Sequence, residues 1–131
     1  MVVGSAAVDI TAQVEASVGD ATFSPHSTSI GTTSMTLGGV ARNIAESAHR
    51  VLTSHSDELD SATMLISPVG DDAFGRVLLE ETQRIGMRTD GFVQNPGARS
   101  AVCNMILDSA GNLVGGVADM DIIRSLDGQA V

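Results

Sequence analysis

Two adjacent glycines, Gly38-Gly39, close a Ser/Thr-rich stretch, and an amphipathic pattern beginning Val40-Ala41-Arg42-Asn43 follows at once. Few features restrict a chain so tightly. Glycine lacks the Cβ that would hold neighbouring groups away from the main chain, and it reaches backbone angles closed to other residues. A helix starting straight after such a corner offers unpaired N–H groups and the positive end of its dipole. With Arg42 and Asn43 in the first turn, the arrangement reads as a seat for a polar, hydroxyl-rich small molecule. The competing reading is a tight strand-to-helix turn whose glycines serve only packing.

The surrounding pattern is α/β. Met1 to Ile10 reads as a buried strand carrying a carboxylate, Asp9, near its end. In α/β folds ligands bind beyond the carboxyl ends of strands. An aspartate there can accept hydrogen bonds from a vicinal diol; a surface aspartate capping a turn is the alternative. The β-branched content of residues 12–37 favours extended structure, an exposed hairpin or lid. From Gly39 to about Ser54 a helix is predicted, with Val40, Ala41, Ile44, Ala45, Ala48, Val51 and Leu52 on one face. Arg42, Glu46, His49 and Arg50 fall on the other. Residues 55–60 read as a loop and 62–69 as a buried strand. Asp71 is the expected N-cap of a second helix, whose buried stripe is Phe74, Val77, Leu78 and Ile85 and which ends at Gly86. A short strand is expected at 91–94. Residues 101–107 and 113–118 read as paired strands joined by the turn residues Asp108 to Asn112. A final helix is predicted from Ile122, with Asp121 as its cap, while Asp119 could point from a strand end toward a ligand.

Composition narrows the function. At 131 residues the chain is one domain or a piece of one, and its stop at Val131 without a closing element reads as an excised segment. Aromatic content of 2% against 43% hydrophobic residues calls for a small, aliphatic core. The net charge is −9, and the seven basic residues, all arginine, are scattered. This argues against a nucleic acid polymer as partner. No run approaches the ~18 apolar residues of a membrane helix, and no secretory leader is visible. With Cys103 as the one cysteine, expected to be a buried inert thiol, the reading is a cytoplasmic protein without a disulfide. His26, His49, His55 and Cys103 lack metal-ligand spacing, so no metal site is expected on this chain. The motifs G-x-G-x-x-G, G-x-x-x-x-G-K-[ST] and G-x-S-x-G are absent.

Several segments, in order, carry a resemblance. Val3-Gly4-Ser5-Ala6-Ala7-Val8-Asp9, Gly38-Gly39-Val40-Ala41-Arg42-Asn43-Ile44-Ala45, Val69-Gly70-Asp71-Asp72-Ala73-Phe74-Gly75 and the hairpin around Asp108 and Gly111 resemble the N-terminal half of PfkB-type carbohydrate kinases, the ribokinase family. The second segment matches the signature G-G-x-x-x-N-x-A, and the third V-G-x-D-x-x-G. Val40 through Asn43 with Asp119-Met120 looks most like the pseudouridine kinases of that family. The resemblance implies a ribokinase-like α/β fold: a mostly parallel sheet flanked by helices, with a small β lid, of which residues 1–131 form the N-terminal, substrate-binding portion. It implies that Asp9 and Asn43 bind sugar hydroxyls and that Gly38 and Gly39 give the sugar close main-chain contact. Arg42 and Asp119 are added as substrate-binding residues by the subfamily pattern alone. The implied activity is ATP- and Mg²⁺-dependent phosphorylation of a sugar or nucleoside, with the 5′-hydroxyl of pseudouridine the favoured acceptor. Ala7 stands where many relatives have Asn, and Ala41 where Gly is common. The family's catalytic G-A-G-D segment, with its general-base aspartate, belongs to the C-terminal half and has no match here, so no catalytic residue is assigned and the chain alone is expected to be inactive. A truncated sugar- or nucleoside-binding module and an oligomerising fragment are the rival readings. A homo-oligomer and a fused glycosidase domain in a longer protein stay open.

Overall fold

A computed structural model of the protein describes residues 1–15, 27–54 and 62–126. The expected loop at 55–60 lies outside them. The elements run β1 (Val2–Val3), β2 (Ala7–Val14), β3 (Gly31–Gly38), α1 (Val40–Thr53), β4 (Leu65–Gly70), α2 (Ala73–Arg84), β5 (Phe92–Asn95), β6 (Val102–Leu107) and β7 (Leu113–Asp119), followed by a 3₁₀ turn at Asp121–Ser125. They form two sheets: a parallel one in the order β1-β4-β5, and a mixed one in the order β3-β2-β6-β7. This is the expected architecture, a parallel layer with helices and a separate β lid.

The first strand is not the single strand the sequence suggests. Gly4, at φ 147°, breaks it. Val2 and Val3 pair with β4 in the parallel sheet, whereas Ala7 onward belongs to the lid, paired with β3 and β6. Ser67 of β4 holds the crossing by accepting a hydrogen bond from the Ala6 N–H at 2.9 Å. The chain therefore passes from one sheet to the other just before Asp9.

The core is aliphatic, as composition requires. Ala6, Val8, Ala41, Ala45, Leu65, Val69, Leu78, Met87 and Val102 form one buried cluster, joined by half-buried Ile10, Leu37, Phe74, Val77 and Ile85. At roughly 25 cal/mol per Å² of apolar surface removed from water, this burial is the main favourable term. β4 is buried along its full length, as a strand covered on both faces must be. The 3₁₀ turn covers part of the second face, where Ile122 packs with Ala7 and Ala101.

Helix α1 is rotated from its sequence expectation. It buries Ala41, Arg42, Ala45 and His49 and exposes Val40 (73%), Ile44 (54%) and Val51 (60%). The cause is close packing on β1. A methyl at Gly4 would press on the Ala41 Cβ, so only the alanine side of the helix fits there. His49, expected on the polar face, is buried with Nε2 3.0 Å from the Ile85 carbonyl oxygen. Helix α2 buries Leu78 and Thr82, with Phe74, Val77 and Ile85 packed at the core's edge, and Gly86 follows at φ 83°. Its N-cap is Asp72, which accepts from the Gly75 N–H at 2.8 Å. Asp71 accepts from the Gly97 N–H instead. At the C-terminal end, Asp121 lies in the first turn of the 3₁₀ element without a capping bond. Among the described residues no helix is long and apolar enough to cross a membrane.

Candidate functional site

The diglycine corner is built by three elements. β3 delivers Gly38 opposite Ala7 of β2, and Gly39, at φ 94°, turns the chain into α1 without a side-chain cap. Gly39 is required by the backbone, and Gly38 by the position of the Asp9 side chain. A methyl on Gly39 would run into the Ser5 carbonyl oxygen, and one on Gly38 would run into the Asp9 carboxylate. The second clash is the most telling contact in the molecule: the side chain of Asp9 lies against the bare Cα of Gly38. No described residue donates a hydrogen bond to that carboxylate.

The first turn of α1 completes the corner. The Arg42 N–H bonds the Ser5 carbonyl oxygen at 3.1 Å and the Asn43 N–H bonds that of Gly39 at 3.0 Å. The N–H groups of Val40 and Ala41 meet no described acceptor, as the first donors of an uncapped helix. Asn43 is exposed. Gly38, Gly39 and Asn43 share this turn, and the Asp9 carboxylate lies against Gly38; the groups on offer are an acceptor-only carboxylate, free backbone donors and a carboxamide.

The two remaining expected residues behave differently. Arg42 is 6% exposed; its Nη2 pairs with Glu46 at 2.6 Å and its Nη1 donates to Asn43 Oδ1 at 3.3 Å. Glu46 also pairs with Arg50 at 2.6 Å. Burial alone would raise the Glu46 pKa, but the hydrogen bond from Arg50 and the two guanidinium charges hold it below its ordinary value. Asp119 is not part of the corner. It lies opposite Val102 in the β6–β7 pair, and Val102 is level with Val8 in the β2–β6 pair. Successive residues of a strand face opposite ways, so Asp119 projects from the sheet face opposite to that of Asp9. There it pairs with Arg99 at 2.7 Å, and the hydrogen bond from Arg99 lowers its pKa.

Two residues beside Asp9 escaped the sequence reading. Thr36 lies directly across from it on β3 and Cys103 is level with it on β6, so all three share a face. Cys103 is half-buried rather than fully buried. The signal was present in the alternation of residues 101–107, but only the parallel register of β2 with β6 relates it to Asp9.

A cavity of about 580 Å³ lies between α1, α2 and β3, with Thr36 and Arg42 in its lining. Its arginines are already paired, Arg42 and Arg50 with Glu46 and Arg84 with Glu81, which leaves it less polar capacity than its size suggests. The carboxylate at the diglycine corner, by contrast, has no described partner.

Comparison with known proteins identifies the family. The family model of the pfkB family carbohydrate kinases matches residues 1–118. The chain is 29% identical over 126 residues to the pseudouridine kinase of Escherichia coli (strain K12), an alignment covering 96% of this chain and 36% of that protein. A Clostridium perfringens protein assigned as a sugar kinase superposes with a TM-score of 0.77 at 26% identity, over 98% of this chain and 36% of its own. The fructokinase of Xylella fastidiosa, solved with bound ATP, superposes at 0.60 with 20% identity, over 91% of this chain and 32% of its own. The chain spans about a third of the length of each of these relatives. With its lid, its diglycine corner and a family match over nearly its whole length, the chain belongs to the pfkB family of carbohydrate kinases.

Proposed function

We propose that the diglycine corner is the acceptor seat of an ATP-dependent sugar or nucleoside kinase. Asp9 accepts hydrogen bonds from ring hydroxyls. Gly38 and Gly39 let the ring approach the main chain, and Asn43 with the free N–H groups of α1 donates to hydroxyl oxygens. The observation that carries this reading is the Asp9 carboxylate, unpartnered among the described residues and held in a position against Gly38 that a Cβ there would exclude. Pseudouridine, phosphorylated on its 5′-hydroxyl, is the favoured acceptor, supported by the likeness to the Escherichia coli enzyme.

In a full-length kinase ATP supplies the phosphoryl group and Mg²⁺ balances its charge. Among the described residues no group of three or more His, Cys, Asp or Glu side chains could hold a metal ion, and the sequence has no Gly-rich phosphate loop. The contribution of these residues is to bind and orient the acceptor, while the lid strands β2, β3, β6 and β7 shield it from water. The family resemblance implies that the ATP site and the general base belong to the portion of the relatives that this chain does not span. In the test, the chain is titrated with pseudouridine, uridine and ribose in a thermal-shift assay. Stabilisation that is strongest with pseudouridine and lost in Asp9→Ala supports the reading; retention of the shift in Asp9→Ala refutes it.

A further inference from the structure

Arg42 does not behave like a residue placed for stability. It is 6% exposed, and its Nε is buried without a hydrogen-bond partner among the described residues. A buried guanidinium with an unmet donor costs more than an apolar side chain of similar size. It is nonetheless held firmly. Its own N–H is tied to Ser5, its Nη2 is paired with Glu46 at 2.6 Å, and Glu46 is braced from the far side by Arg50. What this clamp presents is Nη1, which donates to the Oδ1 of exposed Asn43 at 3.3 Å.

We infer that Arg42 is a positioning residue that sets which way the Asn43 carboxamide faces. A guanidinium can only donate, so the Asn43 atom turned toward it must be the oxygen. The NH₂ group is then the one left free at the corner. This rests on the acceptor-seat reading and sharpens it. A sugar hydroxyl is both donor and acceptor; Asp9 takes its proton and Asn43 supplies a donor to its oxygen. Were Asn43 to turn over, two acceptors would face the same hydroxyl and one bond would be lost. Arg42 therefore favours ligands with a hydroxyl at this point and disfavours deoxy analogues, without touching the ligand.

The test is a double-mutant cycle read by NMR titration of the chain with pseudouridine, using Arg42→Met, Asn43→Ala and the double variant. Arg42→Met is expected to weaken binding roughly tenfold, about the worth of one hydrogen bond, and to have an effect below roughly twofold in the Asn43→Ala background. In the ligand-free protein the same substitution should move the Asn43 side-chain NH₂ resonances. Additive effects in the cycle, or unmoved resonances, overturn the inference while leaving the acceptor seat intact. Absence of pseudouridine binding to the wild-type chain overturns the acceptor seat instead, and the resonance shift still reports on Arg42. Should Arg42→Met fail to fold, Glu46→Gln replaces it. That variant weakens the hold on Arg42 without emptying buried space, and the same coupling to Asn43 is expected; its absence counts against the inference.

Discussion

The two helices of this chain begin in opposite ways. At the start of α2, Asp72 accepts hydrogen bonds from the N–H of Gly75 and from both the N–H and hydroxyl of Ser100. That hydroxyl in turn serves the Gly70 N–H. The Asp72 carboxylate is thus fully engaged within the fold. At the start of α1 no side chain caps the helix, no acid lies in its first turn, and the nearby carboxylate, Asp9, has no described partner. A capped helix end contributes about 1 kcal/mol, and an open one forgoes it. The difference separates a joint whose carboxylate is spent on stability from one whose carboxylate stays available.

Substitutions can break this contrast, and the largest effect is expected at Gly39. Gly39→Ala places a side chain at φ 94° and against the Ser5 carbonyl, at a cost of about 2–4 kcal/mol, visible as a lowered denaturation midpoint. Asp72→Ala follows, removing three hydrogen bonds for about 2 kcal/mol, with no change in acceptor binding. Asp9→Asn should do the reverse, abolishing acceptor binding while shifting stability by less than about 0.5 kcal/mol. If Asp72→Ala impaired binding, or Asp9→Asn destabilised the fold, the division between the two helix starts would fail.

Acidity sharpens the same comparison. Burial tends to raise the Asp72 pKa, but the hydrogen bonds from Ser100 and Gly75 outweigh it and the pKa is lowered. The stability it contributes is therefore present above the ordinary aspartate value and is lost as the pH falls through the lowered one. Unfolding titrations should show that the acid limb flattens in Asp72→Asn. The smallest effect is expected on the outer face of α1, where Ile44→Ser changes stability by about 0.5 kcal/mol or less because Ile44 is 54% exposed.

The diglycine corner was legible in the sequence because its signals are local: paired glycines, a helix period and a polar first turn lie within six residues. The rest depended on partners. The rotation of α1 could not be read from spacing, since Val40 and Ile44 fit a buried stripe as well as Ala41 and Ala45 do. The tight approach to Gly4 decides for the alanines. Asp71 is the cap the sequence suggests, until Ser100, 28 residues on, selects Asp72. That Asp119 lies on the face opposite Asp9 follows only from its pairing with Val102. The break between β1 and β2 likewise follows from which sheet each half joins, a choice made by β4 and β6.

The central claim is that a polyol docks between Asp9 and the start of α1. Its most direct test is backbone amide NMR of the chain during titration with pseudouridine. The account predicts shifts concentrated at Asp9 and Gly38 to Asn43, and absent in Asp9→Asn. Shifts centred instead on Arg99 and Asp119, on the opposite face of the lid, would contradict it.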